Sequence, residues 1–356
     1  MALFQIPNIR LSGISACVPK RTESNLDYDW ISEQERALLI KTTGIENRRM
    51  AETGVTTGDL CFVAAKKLIS ELNWKPEEIE IIILVSQSRD YFLPATAIIL
   101  QDKLGLPKTA LAFDLSLGCS GYIYGLSTIA SLMSNAKIKK GLLLTGDIST
   151  LSLNKKDKST YPLFGDAGTV TAIEYDEKAE PMFFNLQSDG SGYKTIIVTD
   201  GCTRQELNEE SYKEVEIEKG VIRNRKNLSL DGLEVFNFSL REVGPNIKEL
   251  LNYNSSKLED YDHFVFHQAN KLMNETIRKK LKIDAEKVPY TLKQYGNTSS
   301  ASIPLTIVSE LSEKVRTQPS SFILSGFGVG LSWGSAAIKT HGLICPPVIE
   351  YENEPL

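Results

Sequence analysis

Three residues have types and settings that suit carbonyl chemistry. Cys119 lies in SLGCSGYIYG, where an apolar strand-like run ends at Gly118 and a helix-period pattern begins at once. A thiol at a helix N-terminus faces unpaired N–H groups and the positive end of the macrodipole, which favour the thiolate nucleophile. An inert core cysteine would not need the tight glycine turns on both sides. His267 closes the apolar run in DHFVFHQAN, and a histidine at a strand end points into the kind of crevice where α/β proteins do chemistry. Asn297, in YGNTSSASIP, would by itself read as a helix cap. His263, inside the same run as His267, and His341 read as structural.

The elements that must position these residues come in pairs. EEIEIIILVS (Glu77 to Ser86) and LEDYDHFVFH (Leu258 to His267) read as buried strands, because short Ile, Leu, Val and Phe runs flanked by turn signals suit a two-sided sheet. Helix-period segments follow at Cys119 to Met133 and Asn297 to Leu311, and strand-to-glycine turns at GLLLTGD and SFILSGF. The offsets from Ser86 to His267, Cys119 to Asn297 and Gly146 to Gly326 are 181, 178 and 180 residues. Near-constant spacing of three landmarks implies an internal duplication. It places Cys119 and Asn297 on equivalent turns beside a pseudo-twofold axis, with His267 coming off a neighbouring strand.

The expected architecture is therefore α/β, with sheets sandwiched between helices and a site where the halves meet. Residues 1–180 form a half carrying the nucleophile, and 181–356 a half carrying the histidine and asparagine. The second half holds a polar insertion near 203–227 and a short tail after His341, read as an irregular surface extension. A lysine-rich loop at 151–162 distinguishes the first half from the second.

Composition narrows the function further. A net charge of −5 with lysines and acids interspersed gives no basic stripe for nucleic acid or an anionic membrane, so small molecules or a protein carrier are the expected partners. No apolar run approaches the ~20 residues needed to span a bilayer, and Arg10 and Lys20 interrupt the first apolar stretch, which points to a cytoplasmic protein. Five scattered cysteines without a C-x-x-C pair suggest neither a disulfide framework nor a metal site.

The chain resembles the ketoacyl-acyl carrier protein synthase III group of the thiolase superfamily. TTGIENRRMA, LGCSGYIYGL, LFGDAGT, LDGLEVFNFS, HQAN, YGNTSSASIP and GFGVGLSWGSA carry the resemblance over nearly the whole length. It implies a duplicated thiolase-like fold, a five-layered αβαβα sandwich of two similar halves, working as a homodimer. It also implies Cys119, His267 and Asn297 as a catalytic trio and a decarboxylating condensation of an acyl group on Cys119 with a malonyl thioester, without metal or redox cofactor. Acyl thioesters and an acyl carrier protein would be the partners. Phe236, Asn270 and Val329 would line the substrate path, Lys158 would meet a phosphate, Lys271 would serve carrier docking, and Leu93 would reach into the partner's acyl channel. Asp166 and Glu234, within the matching motifs, read as structural.

The chain also departs from the family. The Trp and Arg that clasp the adenine of coenzyme A fall at Leu38 and Thr42, neither of which stacks on a purine. A primer drawn from a carrier protein in preference to coenzyme A is the expectation. The competing reading is a cysteine-dependent acyltransferase that passes its acyl group to an amine or hydroxyl. A papain-like protease shares the order Cys, His, Asn, but its local cysteine signature is absent and the repeat has no explanation there.

Overall fold

A computed structural model describes residues 2–352. Eleven strands build two mixed sheets: β1 (Ala2–Ile6), β2 (Ile9–Pro19), β3 (Ile81–Val85), β4 (Leu111–Leu115), β5 (Lys140–Asp147), β6 (Ala167–Tyr175), β7 (Met182–Ser188), β8 (His263–Phe266), β9 (Ser320–Gly328), β10 (Ser332–Thr340) and β11 (Ile349–Tyr351). The first sheet has the order β11-β2-β6-β5-β3-β4 and the second β1-β7-β10-β9-β8. In each, a buried strand runs parallel to its neighbour (β3 with β5, β8 with β9), and that neighbour pairs antiparallel with the next (β6, β10). This is the duplication in three dimensions. Among the described residues the second sheet has no counterpart of β4.

The main helices are α1 (Glu33–Thr43), α2 (Thr57–Glu71), α3 (Thr96–Lys103), α4 (Gly121–Ala136), α5 (Gly232–Tyr253), α6 (Lys271–Leu281), the one-turn α7 (Leu292–Tyr295) and α8 (Ser302–Thr317). Helices α4 and α8 lie between the sheets and touch strands of both, whereas α2 and α3 cover the outer face of the first sheet and α5 covers that of the second, with α6 against it. Five layers result. A helix clad on both sides by sheets must be apolar around most of its circumference. In α4, Tyr122, Ile123, Leu126, Ile129, Ala130 and Met133 are all fully buried.

Two features differ from the sequence reading. A division at residue 180 assigns each terminal strand to the wrong sheet: β1 pairs with β7 (Ala2 opposite Leu186), and β11 pairs with β2 (Ile349 opposite Cys17). The tail after His341 is accordingly not an irregular surface extension, since Leu343 and Cys345 are buried and Ile14 N–H donates to Ile344 O at 2.8 Å. Its prolines and glutamates suggested a solvated segment, but an outer edge of β2 left open would expose unpaired backbone groups. The insertion is ordered too. Its hairpin, Val215–Glu218 with Val221–Arg223, is tied to the lysine-rich loop through a 3.3 Å ion pair from Arg223 to the buried Asp157.

Deleting residues 343–356 should therefore destabilise the protein by about 3 kcal/mol or more, from the lost burial of Leu343 and Cys345 and the stripped edge of β2. An unchanged denaturant midpoint for the truncated chain would show that the tail contributes nothing.

Candidate active site

Cys119 follows β4 across a short turn and stands two residues before the first residue of α4, with Ser120 as the N-cap. Its side chain is buried. Val329 N–H and Ser299 hydrogen-bond to the sulfur and favour its ionised form, but burial outweighs them and pushes the thiol up to about 11. The thiolate expected from the helix N-terminus is thus not the resting species, because desolvation disfavours charge more than the available donors restore it. Gly328 is required beside the sulfur: its φ is +156°, and a Cβ there would lie 2.6 Å from Cys119 Cβ and 2.9 Å from Sγ. The turn after Gly328 is tied to the nucleophile's neighbour, with Ser332 Oγ donating to Val329 O at 2.9 Å and standing 2.6 Å from Ser120 Oγ.

His267 directly follows β8, with its N–H bonded to Ser325 O at 2.8 Å. Its Nδ1 is 2.8 Å from Ser302 Oγ, which also accepts the Gln268 N–H at 3.3 Å. With the Ser302 hydroxyl donating to Nδ1, the ring proton would sit on Nε2 as a donor to the cavity. Burial holds the imidazole down to about 3, a Ser299 backbone hydrogen bond working the other way. His267 is neutral at pH 7.

Asn297 connects the halves. Its N–H donates to Leu163 O at 2.9 Å and its carbonyl accepts from Gly165 N–H at 3.0 Å. Its side-chain oxygen accepts from Ser299 N–H at 2.9 Å, which leaves the amide NH2 as the group it offers the cavity. Arg48, in the TTGIENRRMA motif, braces the same loop by donating to Tyr161 O at 2.7 Å and Phe164 O at 3.1 Å.

All three side chains line one cavity of about 690 Å³. Of the other residues singled out from sequence, Asn270 and Val329 also line it, Asn270 while capping α6 through Met273 N–H. Phe236 does not line it, its neighbour Val235 taking that place, because helical geometry turns Phe236 toward the core packed under α5. Lys158 does not line it either: its ammonium is 3.4 Å from Glu35 and its stem packs along Gly220. Lys271 is exposed at the first position of α6, and Leu93 is 78% exposed on a loop. Asp166 is structural, accepting from Ala51 N–H at 2.8 Å and Thr150 Oγ at 2.6 Å, and Glu234 lies in the first turn of α5.

Sequence reasoning missed three contributors: Ser299, Ser302 and Asp147. The serines hold the His267 and Asn297 side chains through contacts that their own sequence context does not signal. Asp147, at the end of β5, is buried at the cavity wall and accepts from Gln87 N–H at 2.7 Å, Ser86 Oγ at 3.1 Å and Ser300 Oγ at 3.2 Å. Burial raises its pKa. An acid closing an apolar strand was the one signal available for it.

A buried thiol, a neutral imidazole donor and an amide donor, converging between the halves of a duplicated α/β sandwich, define a thiolase-type condensing site. Two family models match the chain, 3-oxoacyl-[acyl-carrier-protein (ACP)] synthase III over residues 113–190 and its C-terminal counterpart over residues 251–340. Beta-ketoacyl-[acyl-carrier-protein] synthase III of Lactococcus lactis is 32% identical, covering 93% of this chain and 98% of that protein. That of Clostridium perfringens is 33% identical, covering 93% and 99%. The crystal structure of a 3-oxoacyl-(acyl-carrier protein) synthase from Burkholderia xenovorans aligns with a TM-score of 0.92 at 35% identity, covering 98% of this chain and 99% of that one. The chain belongs to the beta-ketoacyl-[acyl-carrier-protein] synthase III family.

Because the thiol is held near 11, its reaction with iodoacetamide, which requires the thiolate, should rise about tenfold per pH unit from pH 7 to 10. Intact-protein mass spectrometry of Cys119 alkylation would measure this. A rate already on a plateau below pH 9 would contradict the burial argument.

Proposed function

We propose that this enzyme performs decarboxylating carbon–carbon condensation on an acyl group held by Cys119. The Cys119 sulfur attacks an acyl thioester, its proton passing to the carrier sulfur, which leaves as the free thiol as the acyl-enzyme forms. A malonyl thioester then enters the cavity. His267 Nε2–H and the Asn297 NH2 donate to its thioester carbonyl, so that the charge left as carbon dioxide departs is held as an enolate. The enolate carbon attacks the acyl carbonyl, whose oxyanion is received by the backbone N–H of Cys119 and by one from the Phe327 to Gly330 turn. Collapse expels the Cys119 sulfur, which regains a proton from solvent, and releases a 3-oxoacyl thioester.

The observation that carries this reading is that a neutral His267 and the Asn297 amide line the same cavity as the Cys119 sulfur. Two uncharged polar groups beside the nucleophile suit a thioester carbonyl whose oxygen gains charge as carbon dioxide leaves. The natural partners are acyl thioesters and an acyl carrier protein, with Lys271 available on the surface as a carrier contact. A cytoplasmic location is part of the proposal; among the described residues no helix is long and apolar enough to cross a membrane. Leu38, 63% exposed, and the exposed Thr42 lie on the same side of α1 and offer no adenine clasp, which supports a carrier-bound primer.

A homodimer completes the proposal. Tyr91, Phe92, Leu93, Ile98 and Leu111 are exposed apolar side chains beside β4, whose outer edge is unpaired in the first sheet. Pairing two such edges across a twofold axis would cover both the strand edge and the apolar side chains. From there Leu93 would reach the partner's acyl channel.

Cys119→Ala should abolish acyl-enzyme formation and condensation. His267→Ala and Asn297→Ala should each slow decarboxylation of a malonyl thioester by roughly two to three orders of magnitude while sparing part of the self-acylation. Carbon dioxide release at the unsubstituted rate in both variants would remove them from the mechanism. Light scattering at micromolar concentration should give the mass of two chains, and a monomer would rule out the edge-to-edge assembly.

A further inference from the structure

The residues lining the cavity differ in burial and in charge. Cys119, His267 and Asn297 are all buried, and neither the thiol nor the imidazole is ionised at neutral pH. Two carboxylates line the cavity, and both have partners within the protein. Asp147 accepts from the backbone and serines described above, and Asp200 pairs with Arg225 at 3.2 Å while accepting from Ser211 Oγ at 2.7 Å. Among the described residues one Lys or Arg lines the cavity, and that is Lys226.

Lys226 sits on the return segment of the insertion and is half-buried, in contrast to the fully enclosed trio. Its backbone is set by a turn, with its N–H donating to Asn224 Oδ1 at 3.0 Å. Its ammonium lies 4.7 Å from the centre of the Tyr212 ring, a cation–π contact that holds the head in place while leaving its hydrogen-bonding capacity in use for a ligand. Among the described residues it has no carboxylate partner. Lys158, the cation that sequence reasoning assigned to a phosphate, is by contrast paired with Glu35 and lies outside the cavity wall.

A half-buried cation on the wall of a cavity whose thiol and imidazole are both neutral fits a ligand with a neutral reactive head and an anionic far end. We propose that Lys226 is a specificity-determining residue that binds the phosphate at the end of the pantetheine arm, the group shared by coenzyme A and a loaded carrier protein. This rests on the thioester reading above and assigns the phosphate contact to the insertion. The contact is a charge-assisted hydrogen bond, formed equally in the bound and reacting states. It lowers KM and leaves kcat unaffected.

The test uses the full-length enzyme with Lys226→Met, which keeps the stem and removes the charge, and Lys226→Arg, which restores a donor. Self-acylation of Cys119 is followed by intact-protein mass spectrometry with one acyl group presented on coenzyme A, on a holo-carrier protein and as the pantetheine thioester without phosphate. Lys226→Met should raise the half-saturating concentration about tenfold for the first two donors, leave the pantetheine thioester unchanged, and keep the saturating rate for all three. Lys226→Arg should remain within about threefold of the unsubstituted enzyme. An equal loss on all three donors would mark a merely structural role and overturn the assignment, as would no change on either phosphorylated donor. An effect confined to coenzyme A would also overturn it, transferring Lys226 to the nucleotide. Failure of every thioester to label Cys119 in the unsubstituted enzyme would instead sink the condensing-enzyme reading itself.

Discussion

Helices α4 and α8 share one layer between two sheets, and the geometry of the site depends on how closely their N-terminal ends approach the surrounding backbone. A Cβ at Gly121 would lie 2.7 Å from Val85 Cγ1 and 3.4 Å from Ser300 Cβ, so the first turn of α4 meets both β3 and the loop leading into α8 at a distance only glycine permits. The same approach brings Cys119, just before α4, and Asn297, just before α8, into a single cavity. A bulkier first turn would separate them, and the two halves would each present one polar group to a different space.

Close packing has an electrostatic consequence. The site is enclosed deeply enough that burial outweighs the helix terminus and the donors around the sulfur, leaving both thiol and imidazole neutral. A neutral imidazole is what a developing enolate requires from a hydrogen-bond donor, since its proton is present without a charge having to be desolvated. The serines that orient His267 and Asn297 are buried with them, and Ser299 does so from a left-handed conformation, φ +51°. Such strain in a non-glycine residue persists only where the surroundings hold it firmly. Here Ser299 serves Cys119, Asn297 and His267 at once.

The insertion and the lysine-rich loop are the parts of the molecule that the duplication does not explain. They clasp one another through Asp157 and Arg223 and, together with the strand pair Ile196–Ile197 and Ser229–Leu230, form one wall of the cavity. Their charged side chains suit solvent, and many of their residues are exposed. Their backbone is nevertheless ordered by hydrogen bonds to the body of the fold, Lys158 N–H to Gly220 O at 3.1 Å and Leu228 N–H to Ser152 O at 2.8 Å among them. Loops placed in this way by a rigid scaffold are suited to deciding which thioester enters.

The sequence by itself determined the repeat, the α/β class and the junctions at which Cys119, His267 and Asn297 stand, because each depends on local patterns. Strand and helix periods are set by side chains a few residues apart, and Cys119, His267 and Asn297 occupy the junctions where such patterns change. Only the tertiary structure decided the exchange of terminal strands, since β1 and β11 are short edge strands whose choice of sheet depends on which edge is open and not on their own residues. It also decided which lysine lines the cavity, because Lys158 is paired with Glu35, 123 positions away in the chain, while Lys226 stands at the cavity wall over an aromatic ring. The protonation state of the site was equally beyond local reading. A helix N-terminus is visible in the order of residues, but the degree of burial that overrides it is a property of five packed layers.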